Sequence, residues 1–320
     1  MEDLQGKVIV ITGASSGFGK GTALALASEG AHLVLAARRD QLLDDLAMEC
    51  KAAGGKASAI ATDVSDREEV LNLAREALAE MGRIDIWINN AGVGALGRFT
   101  EVPLDLHEQV VKTDLLGTIY GSYVAWEQFL QQGKGTLINV ASELGKHTVP
   151  YMSSYTASKH GVVGLSQVLQ QEAKEAKLDD VHVCIVMPTA HDTPFFDHEA
   201  NFTGHEVRAP EPLHDPQDVV DALVALCRNP KDEKIVGGDG VVKIAMKRFV
   251  PGAAESMATK QMHKTQFEDA PPAPTTRGAV EAPSPIGEDV SAGRRESGYQ
   301  KDQKQRAKRS QGKAPAKHPR

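Results

Sequence analysis

The chain has 320 residues, of which 41% are hydrophobic and 25% charged, with a formal net charge of −7. That length suits one large α/β domain or two ordinary ones, and the composition is globular. No run approaches the roughly 20 apolar residues of a membrane helix, and the N-terminus lacks the basic and long apolar regions of a signal peptide. Strands are expected at Lys7 to Thr12 and near 32–37, 56–61, 84–89, 134–141, 181–187 and 234–237. Helical patterns lie between them near 17–29, 39–53, 66–81, 105–131, 151–176 and 216–228. The first strand is continuously apolar, as a strand buried on both faces is. The alternation predicts an α/β fold with a parallel sheet of about seven strands and helices on both faces.

One domain is expected over 1–254. Beyond it Pro271, Pro272, Pro274, Pro283 and Pro285 crowd a stretch with few large apolar residues, followed by polar, basic sequence. Such composition does not bury enough apolar surface to offset ordering entropy, so 255–320 is expected to be disordered. From Arg294 to Arg320 there are ten Lys/Arg and two acids, a local +8 that leaves −15 for the rest. An acidic body argues against a nucleic-acid protein, although the tail has the charge to touch polyanions. Cys50, Cys184 and Cys227 show neither metal spacing nor a disulfide framework, and buried thiols in a reducing cytosol are expected. His107-Glu108 begins like a zinc-binding helix but lacks the second histidine, so no metal site is expected.

Chemistry is concentrated in two places. Thr12-Gly13-Ala14-Ser15-Ser16-Gly17-Phe18-Gly19 joins the first strand to a helix. Glycines there let the backbone approach a pyrophosphate while helix N-terminal amides face the anion. The second place is Tyr155 and Lys159, four residues apart on one helix face. A cation beside a phenol lowers its pKa by about 1–3 units and makes it a general acid/base near neutral pH.

These motifs resemble the short-chain dehydrogenase/reductase family, in its single-domain branch, over roughly Leu4 to Ala245. Asn89-Asn90-Ala91-Gly92 after the fourth strand matches the family's N-N-A-G. Ser142 lies thirteen residues before Tyr155, and Pro188 and Thr193 match a segment that closes over the nicotinamide. The resemblance implies a Rossmann-type doubly wound sheet and a catalytic set of Ser142, Tyr155, Lys159 and Asp114. Ser142 would hold the substrate oxygen, Tyr155 would pass the proton, and Lys159 would stabilise the phenolate and bind the nicotinamide ribose. The implied cofactor-binding residues are Gly13, Ser15, Ser16, Gly17, Phe18, Gly19, Arg38, Arg39, Asp63, Val64, Asn90, Ala91, Gly92, Pro188 and Thr193, with Tyr155 and Lys159. A strand-end cap is the other reading of Asp63.

At the end of the second strand an acid selects NAD and an arginine selects NADP. Ala37 stands at the acidic position and Arg38 follows, which favours NADP over NAD; a simple helix start is the competing reading of Arg38 and Arg39. Two residues depart from the pattern. Asp114 replaces an asparagine that helps to hold a relay water, and Thr189 replaces the glycine after Pro188, predicting a differently shaped loop. The expectation is a cytoplasmic NADP-dependent oxidoreductase interconverting a carbonyl and a secondary alcohol, as a homodimer or homotetramer through its long helices. A weakly catalytic nucleotide-binding scaffold with an interaction tail is the alternative. His147, His191, His198 and His205 are expected to border the site, and Phe195-Phe196 to sit on a lid.

Overall fold

The apolar run Val8–Thr12 is strand β1, buried along its whole length. The computed structural model describes residues 3–284 and 286–295. After β1 come α1 (Gly17–Ser28), β2 (His32–Ala37), α2 (Asp40–Ala52), β3 (Lys56–Ala61), α3 (Arg67–Met81), β4 (Ile86–Asn89) and the two-residue β5 (Ala95–Leu96). Next are α4 (Leu104–Val111), a π turn (Lys112–Leu116), α5 (Gly117–Gln132), β6 (Gly135–Val140), a 3-10 turn (Glu143–Gly145), α6 (Ser153–Glu175) and β7 (Val181–Pro188). The chain continues through α7 (Phe195–His198), β8 (Ala200–Asn201), α8 (Pro216–Arg228), β9 (Glu233–Val236), α9 (Gly238–Phe249), α10 (Pro251–His263) and a second π turn (Lys264–Glu268).

Seven strands form one parallel sheet in the order β3-β2-β1-β4-β6-β7-β9. Ile9 sits between Leu33 of β2 and Ile86 of β4. Strand order reverses at β1 and β4, and a parallel sheet opens its binding crevice at the C-terminal ends of the strands flanking such a switch. Helices α1, α2 and α8 pack together on one face, and α3, α5 and α6 cover the other. Local signals fix the ends. Asp66 caps α3 by accepting from the Glu68 and Glu69 amides at 2.8 and 3.2 Å, and Gly82 ends it at φ 75°. Such caps satisfy amides that have no partner within the helix. Cys50, Cys184 and Cys227 are free and buried.

The predicted strands are all present in the sheet. The expected 105–131 helix is interrupted by the first π turn. The expectation of disorder from 255 fails for the described part of that segment, 255–295. Helix α10 runs through 263, and Met262, Ala270, Ala279 and Val280 are buried. Composition misleads here because the segment builds no core of its own. Val280 enters a cluster already formed by Val93, Ala95, Leu106 and Val110, and Met262 joins Leu96, Leu144 and Met152. The remainder of the expected tail, 296–320, lies outside the described residues. Among the described residues no helix is long and apolar enough to cross a membrane.

Candidate active site

At the crevice the turn after β1 is held by sterics and by Asn90. The Asn90 Nδ2 donates to the carbonyls of Thr12 and Gly13 at 3.0 and 3.1 Å. Thr12 Oγ1 accepts from the Asn90 and Ala91 amides at 3.1 and 3.2 Å. Gly13 (φ 66°) has no room for a side chain, since a Cβ there would lie 2.7 Å from Ala91 Cα. At Gly19 a Cβ would overlap the Gly13 carbonyl. The result is a bare cradle facing the N-terminus of α1, which suits an anionic phosphate. Gly13, Ser15, Ser16, Gly17, Phe18, Asp63, Val64, Asn90, Ala91 and Gly92 all line one cavity of about 410 Å³. Asp63 also caps its own turn, Oδ1 accepting from the Ser65 amide at 2.9 Å and hydroxyl at 2.7 Å.

Ser142, Tyr155, Lys159, Pro188 and Thr193 line the same cavity. Ser142 follows β6, and its Oγ accepts from the Leu144 amide at 3.1 Å. Tyr155 stands in the first turn of α6, and the Lys159 Nζ is 5.4 Å from its ring centroid. Lys159 is buried, donates to the Val140 carbonyl at 3.2 Å and lies 3.5 Å from Asp114 Oδ2. Asp114 is fully buried in the first π turn, with Oδ1 accepting from the Val93 amide at 2.8 Å. Burial pushes its carboxyl up, and the Lys159 charge opposes this.

The expected lowering of the Tyr155 pKa is not what this arrangement produces. Burial pushes the phenol up, the Asp114 carboxylate adds to the rise, and the Ser142 hydroxyl pulls partly back. A lysine with a carboxylate at 3.5 Å acts on the ring as one end of a dipole, and its field is largely cancelled. Tyr155 is therefore held in its protonated form.

Arg38 and Arg39 reach the cavity, but their donors are taken by main-chain carbonyls and, for Arg39, also by the Ser15 hydroxyl. Arg38 donates to the carbonyls of Val280 at 3.2 Å and Ala279 at 2.5 Å. Arg39 donates to the Gly287 carbonyl at 3.1 Å and to Ser15 Oγ at 3.0 Å. Sequence reading missed these partners, because nothing in residues 279–287 carries a recognisable motif.

The lid is ordered by its surroundings. Thr189 keeps an ordinary negative φ and donates its amide to the Val236 carbonyl at 2.9 Å. The glycine has moved to the facing strand end: Gly237 has φ 108°, and a side chain there would collide with Thr189. Thr193 reaches the glycine-rich turn, 3.7 Å from where a Gly17 Cβ would stand. His147, His191 and His198 line the cavity, whereas His205 does not. The Phe195 ring lies 5.4 Å from that of Tyr155. With Leu144, Val149, Met152, Met257 and Met262 it makes an apolar wall, part of which comes from α10. Glu199 also went unnoticed. It is buried beside Gly94, Oε1 has no hydrogen-bond partner, and burial pushes its carboxyl up to about 8.

Comparison with known proteins gives the family. Residues 7–202 match the family described as short chain dehydrogenase. The uncharacterized oxidoreductase YxnA of Bacillus subtilis is 29% identical, over 88% of this chain and 79% of its own length. A short-chain dehydrogenase/reductase of Burkholderia phymatum, solved in complex with NAD, superposes with a TM-score of 0.71 at 26% identity, over 80% of this chain and 97% of its own. An alcohol dehydrogenase of Thermococcus sibiricus, complexed with 5-hydroxy-NADP, superposes with a TM-score of 0.63 at 26% identity, over 72% and 96%. With its sheet order, glycine-rich cradle and Ser142–Tyr155–Lys159 cluster, this chain belongs to the short-chain dehydrogenase family.

Proposed function

We propose that the protein is an NADP-dependent oxidoreductase that interconverts a carbonyl and a secondary alcohol borne on an apolar body. The observation that carries this reading is the convergence of Ser142, Tyr155 and Lys159 on one cavity beside the glycine cradle. The cradle supports a dinucleotide, because the absence of side chains at Gly13 and Gly19 lets the turn pack tightly on Ala91 and Asn90 and leaves bare backbone at the start of α1. Ser15, Ser16, Gly17 and Phe18 would hold the pyrophosphate, Asp63 and Val64 the adenine, and Asn90, Ala91 and Gly92 the floor. Pro188 and Thr193 would close over the nicotinamide, and the Lys159 ammonium would bind its ribose. A bound nicotinamide supplies hydride chemistry, and the protein orients the partners and moves the proton. NADP is favoured because Ala37 leaves the end of β2 without an acid and Arg38 follows it.

The residues divide the remaining work. Ser142 holds the substrate oxygen. Tyr155, its phenol pushed up by burial and by Asp114, is set to donate its proton to that oxygen in carbonyl reduction and to take it back in alcohol oxidation. Asp114 sits directly against Lys159 and orients the ammonium. Phe195, Met152, Met257 and Met262 exclude water and receive an apolar substrate, with methionines adapting to its shape. Exposed Tyr123 and Leu130 on α5 and Val168 on α6 support a homo-oligomer through the long helices. The three buried thiols suit a reducing cytosol.

The test is NADPH oxidation across a panel of apolar ketones, aldehydes and quinones. Tyr155→Phe should lower turnover by about a thousandfold while leaving cofactor binding intact. Absence of wild-type turnover across the whole panel would sink the proposal.

A further inference from the structure

The family match ends at residue 202, yet the cleft it describes is roofed by residues far beyond it. Two stretches, 276–284 and 286–292, cross from the lid to α1. At the lid end Thr276 and Asn201 exchange two main-chain hydrogen bonds of 2.9 and 2.8 Å, and the Ala279 amide donates to the His198 carbonyl at 2.8 Å. Val280 is fully buried there. At the far end the Gly17 amide donates to the Asp289 carbonyl at 3.0 Å, and Val290 lies over Gly21. Between the two ends, Arg38 holds the carbonyls of Ala279 and Val280, and Arg39 holds that of Gly287. Ala279, Pro283 and Ser284 form part of the cavity wall.

The donors that hold this crossing segment are the ones assigned above to the cofactor's anionic groups. The Gly17 amide opens α1, where a pyrophosphate is stabilised. Arg38 and Arg39 stand where a 2′-phosphate is read. A carbonyl oxygen and a phosphate oxygen are both acceptors, so at one N–H they compete. A ribose 2′-hydroxyl makes no comparable demand on a guanidinium.

We propose that 276–284 and 286–292 form a clasp that helps to determine cofactor choice. Either cofactor's pyrophosphate takes the Gly17 amide from Asp289, but NAD leaves the middle of the clasp closed; NADP opens it, because the 2′-phosphate takes Arg38 and Arg39 from the carbonyls of Ala279, Val280 and Gly287. Affinity for NADP is then lower than Arg38 and Arg39 would give without the clasp, and its binding is coupled to opening. This inference rests on the dinucleotide reading above.

Gly287→Val tests it in the full chain. Gly287 has φ 74°, and a Cβ there would lie 2.7 Å from Pro194 Cβ and 2.6 Å from His198 Nε2. A β-branched residue does not hold that conformation, so the variant loosens the middle of the clasp where Arg39 holds it. Thr276→Pro unlatches the lid end by removing the amide that donates to Asn201. Dissociation constants for NADPH and NADH are read from nicotinamide fluorescence, and the clasp from limited proteolysis. Both variants should bind NADPH about tenfold more tightly and NADH with less than about threefold change, since charged hydrogen bonds of this kind contribute on that scale. In the wild type, NADPH should expose the arginine-held part, 279–284 and 286–287, to protease and NADH should not. Equal changes for the two cofactors, or protection of the segment by NADPH, would overturn the clasp. Failure of the wild type to bind either cofactor would instead overturn the dinucleotide reading.

Discussion

The glycine-rich turn and the C-terminal crossing segment meet at the start of α1, but opposite means hold them in place. The turn is shaped by exclusion: Gly13 and Gly19 stand where any side chain would strike neighbouring backbone, and Asn90 ties the loop to the floor. The crossing segment is shaped by attachment. Its carbonyls are held by Arg38, Arg39 and Gly17, and Val280 is its fully buried anchor. A conformation set by local sterics tolerates little change and leaves a trace in the sequence. One borrowed from distant donors can be released as a unit, and its own composition does not announce it.

This contrast predicts unequal sensitivities. Gly19→Val should be the most damaging change, because its side chain would strike the Gly13 carbonyl and lie close to Asn90 Nδ2. Cofactor affinity should fall by about a hundredfold or more, and urea unfolding should show a loss on the order of 3 kcal/mol. Normal affinity would mean that the cradle is not set by exclusion. Val280→Ala probes the attached region and should cost about 1–2 kcal/mol by the same measurement. A cost near zero would place the crossing segment outside the cooperative unit.

Two buried carboxyl groups outside these regions, Asp114 and Glu199, offer finer tests. Asp114→Asn removes a charge that raises the Tyr155 pKa, so the pH profile of alcohol oxidation should move about one unit toward acid. An unmoved profile would show that the Asp114 charge does not reach the phenol. Glu199 has only the more distant pull of Arg294 against its burial, and its pKa is raised from 4.5 to about 8. Between those values the folded chain binds a proton that the unfolded chain has lost, so stability falls as pH rises through that window. Glu199→Gln should remove this fall and raise the melting temperature at pH 8.5, relative to wild type, by about 10 °C more than it does at pH 4.5. Parallel curves for the two proteins would show that Glu199 does not titrate in that range.

Legibility in the sequence follows the same division. Strands β1, β2 and β4 are readable because a sheet covered on both faces requires continuous apolar runs. Ser142, Tyr155 and Lys159 are readable because their types and spacing follow a family pattern, and the fold brings them to one cavity. Arg38 was readable as a cation at the end of β2, but its partners were not, since any residue supplies a carbonyl. Residues 255–295 were misread because composition measures whether a segment can build a core, and this one inserts Met262 and Val280 into cores built by others. Glu199 had no signal at all, since its environment comes from Gly94 and Phe195 in separate elements.

The three cysteines carry a practical consequence. Cys50, Cys184 and Cys227 are all buried, and burial pushes the first two thiols up to about 11 and about 12, and the third up as well. Alkylating reagents attack thiolates. At neutral pH the native molecule is therefore almost inert to them, while each unfolded molecule presents three targets. Cys184 lies in β7 within the central sheet and Cys227 in α8, which covers one face of it, whereas Cys50 lies in α2 beside the edge strand β3. The order in which the three become labelled is a built-in clock for whether the domain opens from its rim or all at once.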